Sequence, residues 1–247
     1  GLPFSAQVKT LKLTGLLKDP LITYNLDAKT QWQGHSFDLH LEGSGDMRGA
    51  QLKQSTLHQG SGSLSLNGRF DWRGANNAMR ISAANWGEAF WPVYQLTQLS
   101  AAQARVNGEA QLTGSLNAPI INTQVQLTGE LSLNEVTAFT LLNNAQYQYN
   151  FAKPWPQGLS LLATENIELK FNDITRLSLS GSYTPKALNL TLNCANWDAQ
   201  LNQLLQIPLA PGAGNFSLNL TGSTQTPIIN GQWHYSLPNP GKEALIW

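Results

Sequence analysis

The segment LSLSGSYTPKALNLTLN, residues 177–193, decides the fold class. Leu177 and Leu179 alternate with serines, and Leu188, Leu190 and Leu192 alternate with Asn189 and Thr191. A period of two places every second side chain on the same face of an extended chain, so each run reads as a strand with one apolar and one wet face. Between them stand Ser180-Gly181-Ser182 and Thr184-Pro185-Lys186, both rich in turn formers and both read as hairpin turns.

The pattern extends outward from this segment. Leu159, Leu161 and Ala163 alternate with other residues, as do Ile167, Leu169 and Phe171, and then Phe216, Leu218 and Leu220. Asn67-Gly68 and Gly74-Ala75-Asn76-Asn77 read as further turns. Extended along the chain, this reading predicts roughly sixteen strands and an all-β protein.

Two segments break the rhythm in matching places. Ala84-Asn85-Trp86 precedes a stretch from Gly87 to Leu96, and Ala195-Asn196-Trp197 precedes Asp198 to Leu205. Each reads as a short amphipathic helix laid on the sheet. The asparagine is expected to accept its first free amide hydrogens, with an acid next to it complementing the helix dipole. Pro92 ends or kinks the first helix. Trp86 and Phe90, and Trp197, Leu201, Leu204 and Leu205, are the residues expected to pack on the sheet.

These landmarks define a long repeat. Thr113-Gly114-Ser115-Leu116-Asn117-Ala118-Pro119-Ile120-Ile121-Asn122 and Thr221-Gly222-Ser223-Thr224-Gln225-Thr226-Pro227-Ile228-Ile229-Asn230 are nearly one decapeptide, and Thr14-Gly15 with Pro20 is a weaker third copy. The three glycines fall 99 and 108 residues apart. Locally the phrase is a strand-turn-strand joint, since proline is tolerated where a strand begins. Its recurrence at domain-sized intervals is how an elongated array is written. The approximate repeats are 2–101, 102–210 and a partial 211–247, within one continuous body spanning 1–247.

Composition narrows the function classes. Charged residues make up 12% of the 247-residue chain, about half the usual share. Fifteen basic and fifteen acidic side chains cancel, so the field that concentrates a protein on nucleic acid is missing. One cysteine, Cys194, permits no intrachain disulfide, and no His, Lys or Arg stands near it in sequence to activate the thiol. No run of about 18 apolar residues spans a bilayer as a helix. The chain starts at Gly1, and both ends read as cut from something longer.

The order of short leucine helix, strand, "L-x-L-T-G-x-x-x-x-P-x-I" joint and further alternating strands resembles the repeats of the TamB family, the large AsmA-like proteins of the Gram-negative envelope. The resemblance covers nearly the whole chain through three joints and two Asn-Trp entries. It implies a curved, antiparallel-rich sheet folded into a U-shaped apolar groove, a β-taco, in a periplasmic segment of a protein anchored in the inner membrane. It also implies lipid transport: phospholipid acyl chains carried toward the outer membrane, in support of outer-membrane biogenesis. The partner would be the outer-membrane β-barrel of the translocation and assembly module, met through segments outside this chain. The family's N-terminal membrane helix and barrel-contacting segment have no counterpart here.

The residues point the same way. Two short helices are too few to cover the apolar face of some sixteen strands, which leaves a filled sandwich or an open trough. In the trough reading the lining is Val125, Leu127, Leu131, Leu133, Ile167, Leu169, Phe171, Leu177, Leu179, Leu188, Leu190, Leu192, Leu218 and Leu220. The rival readings are a structural β-solenoid or passenger-like envelope protein with a solid core, and a lectin-like carbohydrate binder using some of the eight tryptophans. No catalytic motif, cofactor signature or phosphate loop is present, so an enzyme is not expected. His35, Asp38, His40 and Glu42 are the one cluster with metal-ligand chemistry. Asp38, His40 and Glu42 share a strand face, and the bland reading is a wet surface with no metal.

Overall fold

The computed structural model describes residues 4–16, 19–32, 35–74, 76–87, 104–132, 136–154, 157–205 and 212–236. They form fourteen strands: β1 (Phe4–Leu16), β2 (Asp19–Trp32), β3 (His35–Gly45), β4 (Gly49–Gln59), β5 (Gly62–Asp71), β6 (Asn77–Trp86), β7 (Arg105–Ser115), β8 (Ala118–Ser132), β9 (Val136–Tyr149), β10 (Leu159–Phe171), β11 (Ile174–Tyr183), β12 (Leu188–Trp197), β13 (Ala213–Gly222) and β14 (Pro227–Ser236). Among the described residues there is one α-helix, α1 (Ala199–Leu205). The strands lie in a single sheet in sequence order, β1 and β14 at its edges. The sheet is curved and unclosed, and every pairing is antiparallel. At about 4.8 Å per strand it extends roughly 60 Å.

Among the described residues fourteen strands stand against roughly sixteen expected over the whole chain, in part because the strands are long and irregular. Leu159–Ala163 and Ile167–Phe171, two alternating runs in sequence, are both in β10, joined across register shifts at Thr164. Such bulges reset the alternation and bend a strand, so Ala163 stands exposed rather than with Leu161. Further shifts interrupt β1 after Val8 and β4 after Leu52.

Two expected turns are not turns. Asn67-Gly68 lies inside β5 and Ser180-Gly181-Ser182 inside β11. Gly68 and Gly181 adopt φ of +126° and +109°, a region side chains rarely enter. A Cβ on either would overlap the carbonyl oxygen of the neighbouring strand, at Ala78 and Asn189 respectively. They permit close strand approach in equivalent places of the repeat. Thr184-Pro185-Lys186 does form the β11–β12 turn, closed by backbone bonds between Thr184 and Ala187.

The glycine and proline of the repeated joint are placed alike in all three copies. Gly15, Gly114 and Gly222 have φ of +92°, +86° and +93°. Each stands directly opposite the proline of its phrase: Gly15 faces Pro20, Gly114 faces Pro119 and Gly222 faces Pro227. The joints close β1–β2, β7–β8 and β13–β14, so the repeat is six strands long. The Asn-Trp entries follow the same period at the ends of β6 and β12, each with a register shift just before its tryptophan.

Two substitutions separate backbone conformation from close approach. Gly114 has open space where a Cβ would go, whereas Gly181 has none. Gly114→Ala should therefore cost only the positive-φ penalty of about 1–2 kcal/mol. Gly181→Ala should cost at least about 1 kcal/mol more, the usual price of overpacking. Urea denaturation of both variants measures the difference, and equal losses would show that strand approach at Gly181 is not limiting.

Candidate functional site

Residues directly opposite one another in an antiparallel ladder share a face, so the register assigns every strand position to one side of the sheet. One row can be followed from β6 to β14: Trp86, Val106, Leu127, Leu141, Leu169, Leu177, Cys194, Phe216 and Trp233, each the register partner of the next. A parallel row runs through Val125, Asn143, Ile167, Leu179, Leu192 and Leu218, and another joins Leu190 to Leu220. Phe171 follows Leu169 on the same face, and Leu188 lies beyond Leu190. Leu131 stands opposite Thr137 in the ladder. Leu133 lies outside the described residues.

Among the described residues, no register pair on this face contains Asp, Glu, Lys or Arg. The polar residues on it are neutral and partly bonded to one another. Asn143 accepts from the Tyr147 hydroxyl at 2.8 Å, and Thr123 donates to the Ala145 carbonyl at 3.0 Å. The opposite face holds the ions: Lys9 and His40 converge on Asp27 at 2.5 and 2.7 Å, and Lys29 meets Asp38 at 3.2 Å. The bonds from His40 and Lys9 hold the Asp27 carboxyl below its ordinary range. His40 and Asp27 are register partners, so the histidine is spent on a cross-strand pair. No grouping of His, Cys, Asp and Glu among the described residues is arranged to hold a metal.

The apolar face is packed unevenly. At the edge where β6 and β12 end, side chains are buried in two clusters. One comprises Phe139, Phe171, Cys194, Trp197 and Leu201, with Leu127, Leu169, Leu177, Leu204 and Phe216 against it. The other comprises Phe37 and Trp86, with Leu57, Leu64 and Val106. Ring contacts tie both: Phe37 to Trp86 at 6.4 Å and Trp197 to Phe216 at 5.8 Å. Toward the other edge Leu179, Leu188, Leu190, Leu192, Leu218 and Leu220 are only half-buried.

Helix α1 closes part of the packed edge. Leu201 is 0% exposed. The Trp197 indole N–H donates to the Asn202 side-chain oxygen at 2.6 Å, a buried bond that joins helix to strand. The cap is Asp198 rather than Asn196: its Oδ1 accepts the backbone N–H groups of Gln200 and Leu201 at 3.0 and 3.1 Å. Asn196 donates instead to the Thr175 carbonyl at 3.2 Å. Arg176 holds the cap with an ion pair to Asp198 at 2.7 Å. Leu205 differs from expectation, being 43% exposed. A seven-residue helix makes just under two turns, and the part over the cluster presents Leu201, Asn202 and Leu204. The first expected helix, with Phe90, falls on residues 88–103, outside those described. Burial raises the Cys194 thiol above its ordinary range, which suits a packing residue.

The other edge carries the Gly-Pro joints, and its turns are tied to one another. Trp72 N–H donates to the Arg48 carbonyl at 2.9 Å and its indole N–H to that of Asp46 at 3.0 Å. Leu116 donates to Gly74, and Phe151 to Asn117, both at 2.9 Å. The Thr224 hydroxyl donates to Pro185 at 2.7 Å. Nothing in the period-two pattern announces these links, because they join turns of different hairpins.

Leu201→Ala should cost about 2–5 kcal/mol, the usual loss for a leucine truncated in a filled core. Leu205→Ala should cost under about 0.5 kcal/mol as a surface change. Comparable losses in thermal or urea unfolding would contradict the packing of α1. In comparisons with models of protein families, with curated proteins and with solved structures, nothing matches this chain.

Proposed function

We propose that the chain is a segment of a bridge-like lipid carrier, holding phospholipid acyl chains along its apolar face while headgroups remain in water. The observation that supports this most is the row of register partners Val125, Asn143, Ile167, Leu179, Leu192 and Leu218, which crosses six strands beside the packed clusters without a charged residue. A charge on such a path would need to be paired or desolvated at large cost, whereas each methylene taken from water contributes about 0.8 kcal/mol. The half-buried leucines of β11, β12 and β13 favour an open trough over a solid core. With no second sheet or extensive helical cover among the described residues, their apolar surface remains available.

On this reading the U-shaped groove lies in the periplasm of a Gram-negative cell, in a parent protein anchored in the inner membrane. Its lipids pass toward the outer membrane, and the β-barrel partner engages other segments. The role is binding and conduction rather than catalysis, and no cofactor enters it.

The test uses the two faces of the same strands. Leu190 and Leu220 are register partners on the apolar face; Thr191 and Asn219 are partners on the wet face, bonded at 2.9 Å. Leu190→Asp with Leu220→Asp should abolish recovery of phospholipid from the purified protein in mass spectrometry of organic extracts. Thr191→Asp with Asn219→Asp should leave it unchanged, circular dichroism confirming that both variants are folded. Absence of phospholipid from the parent protein, or equal recovery from both folded variants, would refute the reading.

A further inference from the structure

The turns along the joint edge share a pattern that the strand rhythm does not require. In four of them the last apolar-face position of the strand is followed by a residue with a short polar side chain, then an apolar residue, then a cation: Gly45-Asp46-Met47-Arg48, Phe70-Asp71-Trp72-Arg73, Tyr149-Asn150-Phe151-Ala152-Lys153 and Tyr183-Thr184-Pro185-Lys186. In the third the cation comes one residue later.

In each turn the short polar side chain fixes the tip. Asp46 Oδ1 accepts from the backbone N–H of Arg48 at 2.7 Å, and Asp71 Oδ1 from that of Arg73 at 2.9 Å. Asn150 Oδ1 accepts from Ala152 at 3.0 Å, and Thr184 Oγ1 from Ala187 at 3.1 Å. The apolar tip residues are left in water: Met47 is 67%, Trp72 57% and Phe151 63% exposed. Both aromatic tips meet the final apolar-face ring of their own strand edge to face, Trp72 with Phe70 at 5.0 Å and Phe151 with Tyr149 at 4.7 Å. The apolar face is thereby carried out to the lip.

The cations close the pattern. Among the described residues, none of the ion pairs involves Arg48, Arg73, Lys153 or Lys186, and all four stand exposed. At the opposite edge Arg176 is already paired with Asp198, and α1 covers the packed cluster. At three of the four tips the lip therefore presents an aromatic or thioether body near an exposed cation, with Asp46 beside Arg48; at the fourth the apolar neighbour is Pro185. Tryptophan and phenylalanine beside arginine or lysine suit a boundary between hydrocarbon and anion, and guanidinium and ammonium groups bind phosphate.

We propose that the joint edge is the headgroup rail of the trough: Arg48, Arg73, Lys153 and Lys186 engage the phosphates of anionic glycerophospholipids, while Met47, Trp72 and Phe151 cover the glycerol end of the acyl chains. Neighbouring hairpins are about 10 Å apart, so the rail presents two adjacent pairs of cations, Arg48 with Arg73 and Lys153 with Lys186, separated by the β7–β8 hairpin, which carries none. It also gives each lipid one orientation, headgroup toward the joints and chains toward the tryptophan clusters. This proposal rests on the lipid-carrying reading of the apolar face.

The experiment compares two fluorescent probes with identical acyl chains, phosphatidylglycerol and diacylglycerol, on the parent chain and on a variant combining Arg48→Gln, Arg73→Gln, Lys153→Gln and Lys186→Gln. A control variant removes Lys12 and Lys29 from the wet face. The parent and the control should favour phosphatidylglycerol by about tenfold, the effect of one charge-assisted contact. The four-site variant should lose that preference and bind diacylglycerol as the parent does. In the parent the preference should shrink toward about 0.5 M salt, as screening of exposed cations requires, a measurement independent of how the variant folds. Binding of both probes without preference in the parent, or a preference kept in the folded variant, overturns the rail and leaves the trough intact. Failure of the parent to bind either probe overturns the trough reading and the rail with it. Competition by glycerol phosphate lacking acyl chains also overturns the proposal, because the edge would then be a general phosphate site.

Discussion

Register is the constraint on which this structure depends. Each strand pairs only with its neighbours in sequence, and a slip of one residue in any pairing would turn that strand's leucines to water and its Ser, Thr and Asn inward. Fourteen strands keep a common phase because tight joints hold them. The positive-φ glycine opposite a proline recurs every six strands, and bulges within β1, β4 and β10 absorb the extra residues where the sheet bends. A meander of this kind needs no long-range topology to be specified; it needs each hairpin to close correctly.

What holds the two margins of the sheet differs. At one margin aromatic rings and the single described helix form a dry core, sealed by the Trp197–Asn202 bond and by Asp198, which is both helix cap and partner of Arg176. At the other, turns of successive hairpins are joined through backbone and side-chain bonds, so the lip is ordered without being buried. In the proposed lipid carrier, the filled margin would prevent collapse or a second occupancy, and the ordered margin would leave room for a chain to enter sideways and for its polar end to stay wet. Among the described residues β1 and β14 are the outer strands of the sheet.

The wet face and the joint edge differ in how their charges are placed. Across the described strands the wet face pairs its ions locally, as in Lys9–Asp27–His40 and Lys29–Asp38, which is the ordinary fate of charges on a sheet surface. Of the cations outside those pairs, Arg48, Arg73, Lys153 and Lys186 stand at the turns where the apolar face meets solvent, and Lys12, Lys53 and Arg69 lie within strands. With so few charges in the chain, their placement is more informative than their number.

The sequence by itself determined the class, the faces and the period. Leu188, Leu190 and Leu192 could belong only to a half-buried strand, and the twin phrases at Gly114 and Gly222 marked equivalent joints, because period-two alternation and a glycine–proline hairpin are local properties. Tertiary structure decided the rest. Gly68 and Gly181 looked like turns and proved to be sites of close strand approach, since only the neighbouring carbonyl reveals why a Cβ is excluded. Ala163 left its expected face because a bulge nearby resets the alternation. Asp198 displaced Asn196 as the helix cap because Asn196 was drawn to the Thr175 carbonyl of the adjacent strand. The basic, aromatic lip was invisible along the chain for a similar reason. Its four tips lie far apart in sequence, and only stacking the hairpins side by side makes them one edge.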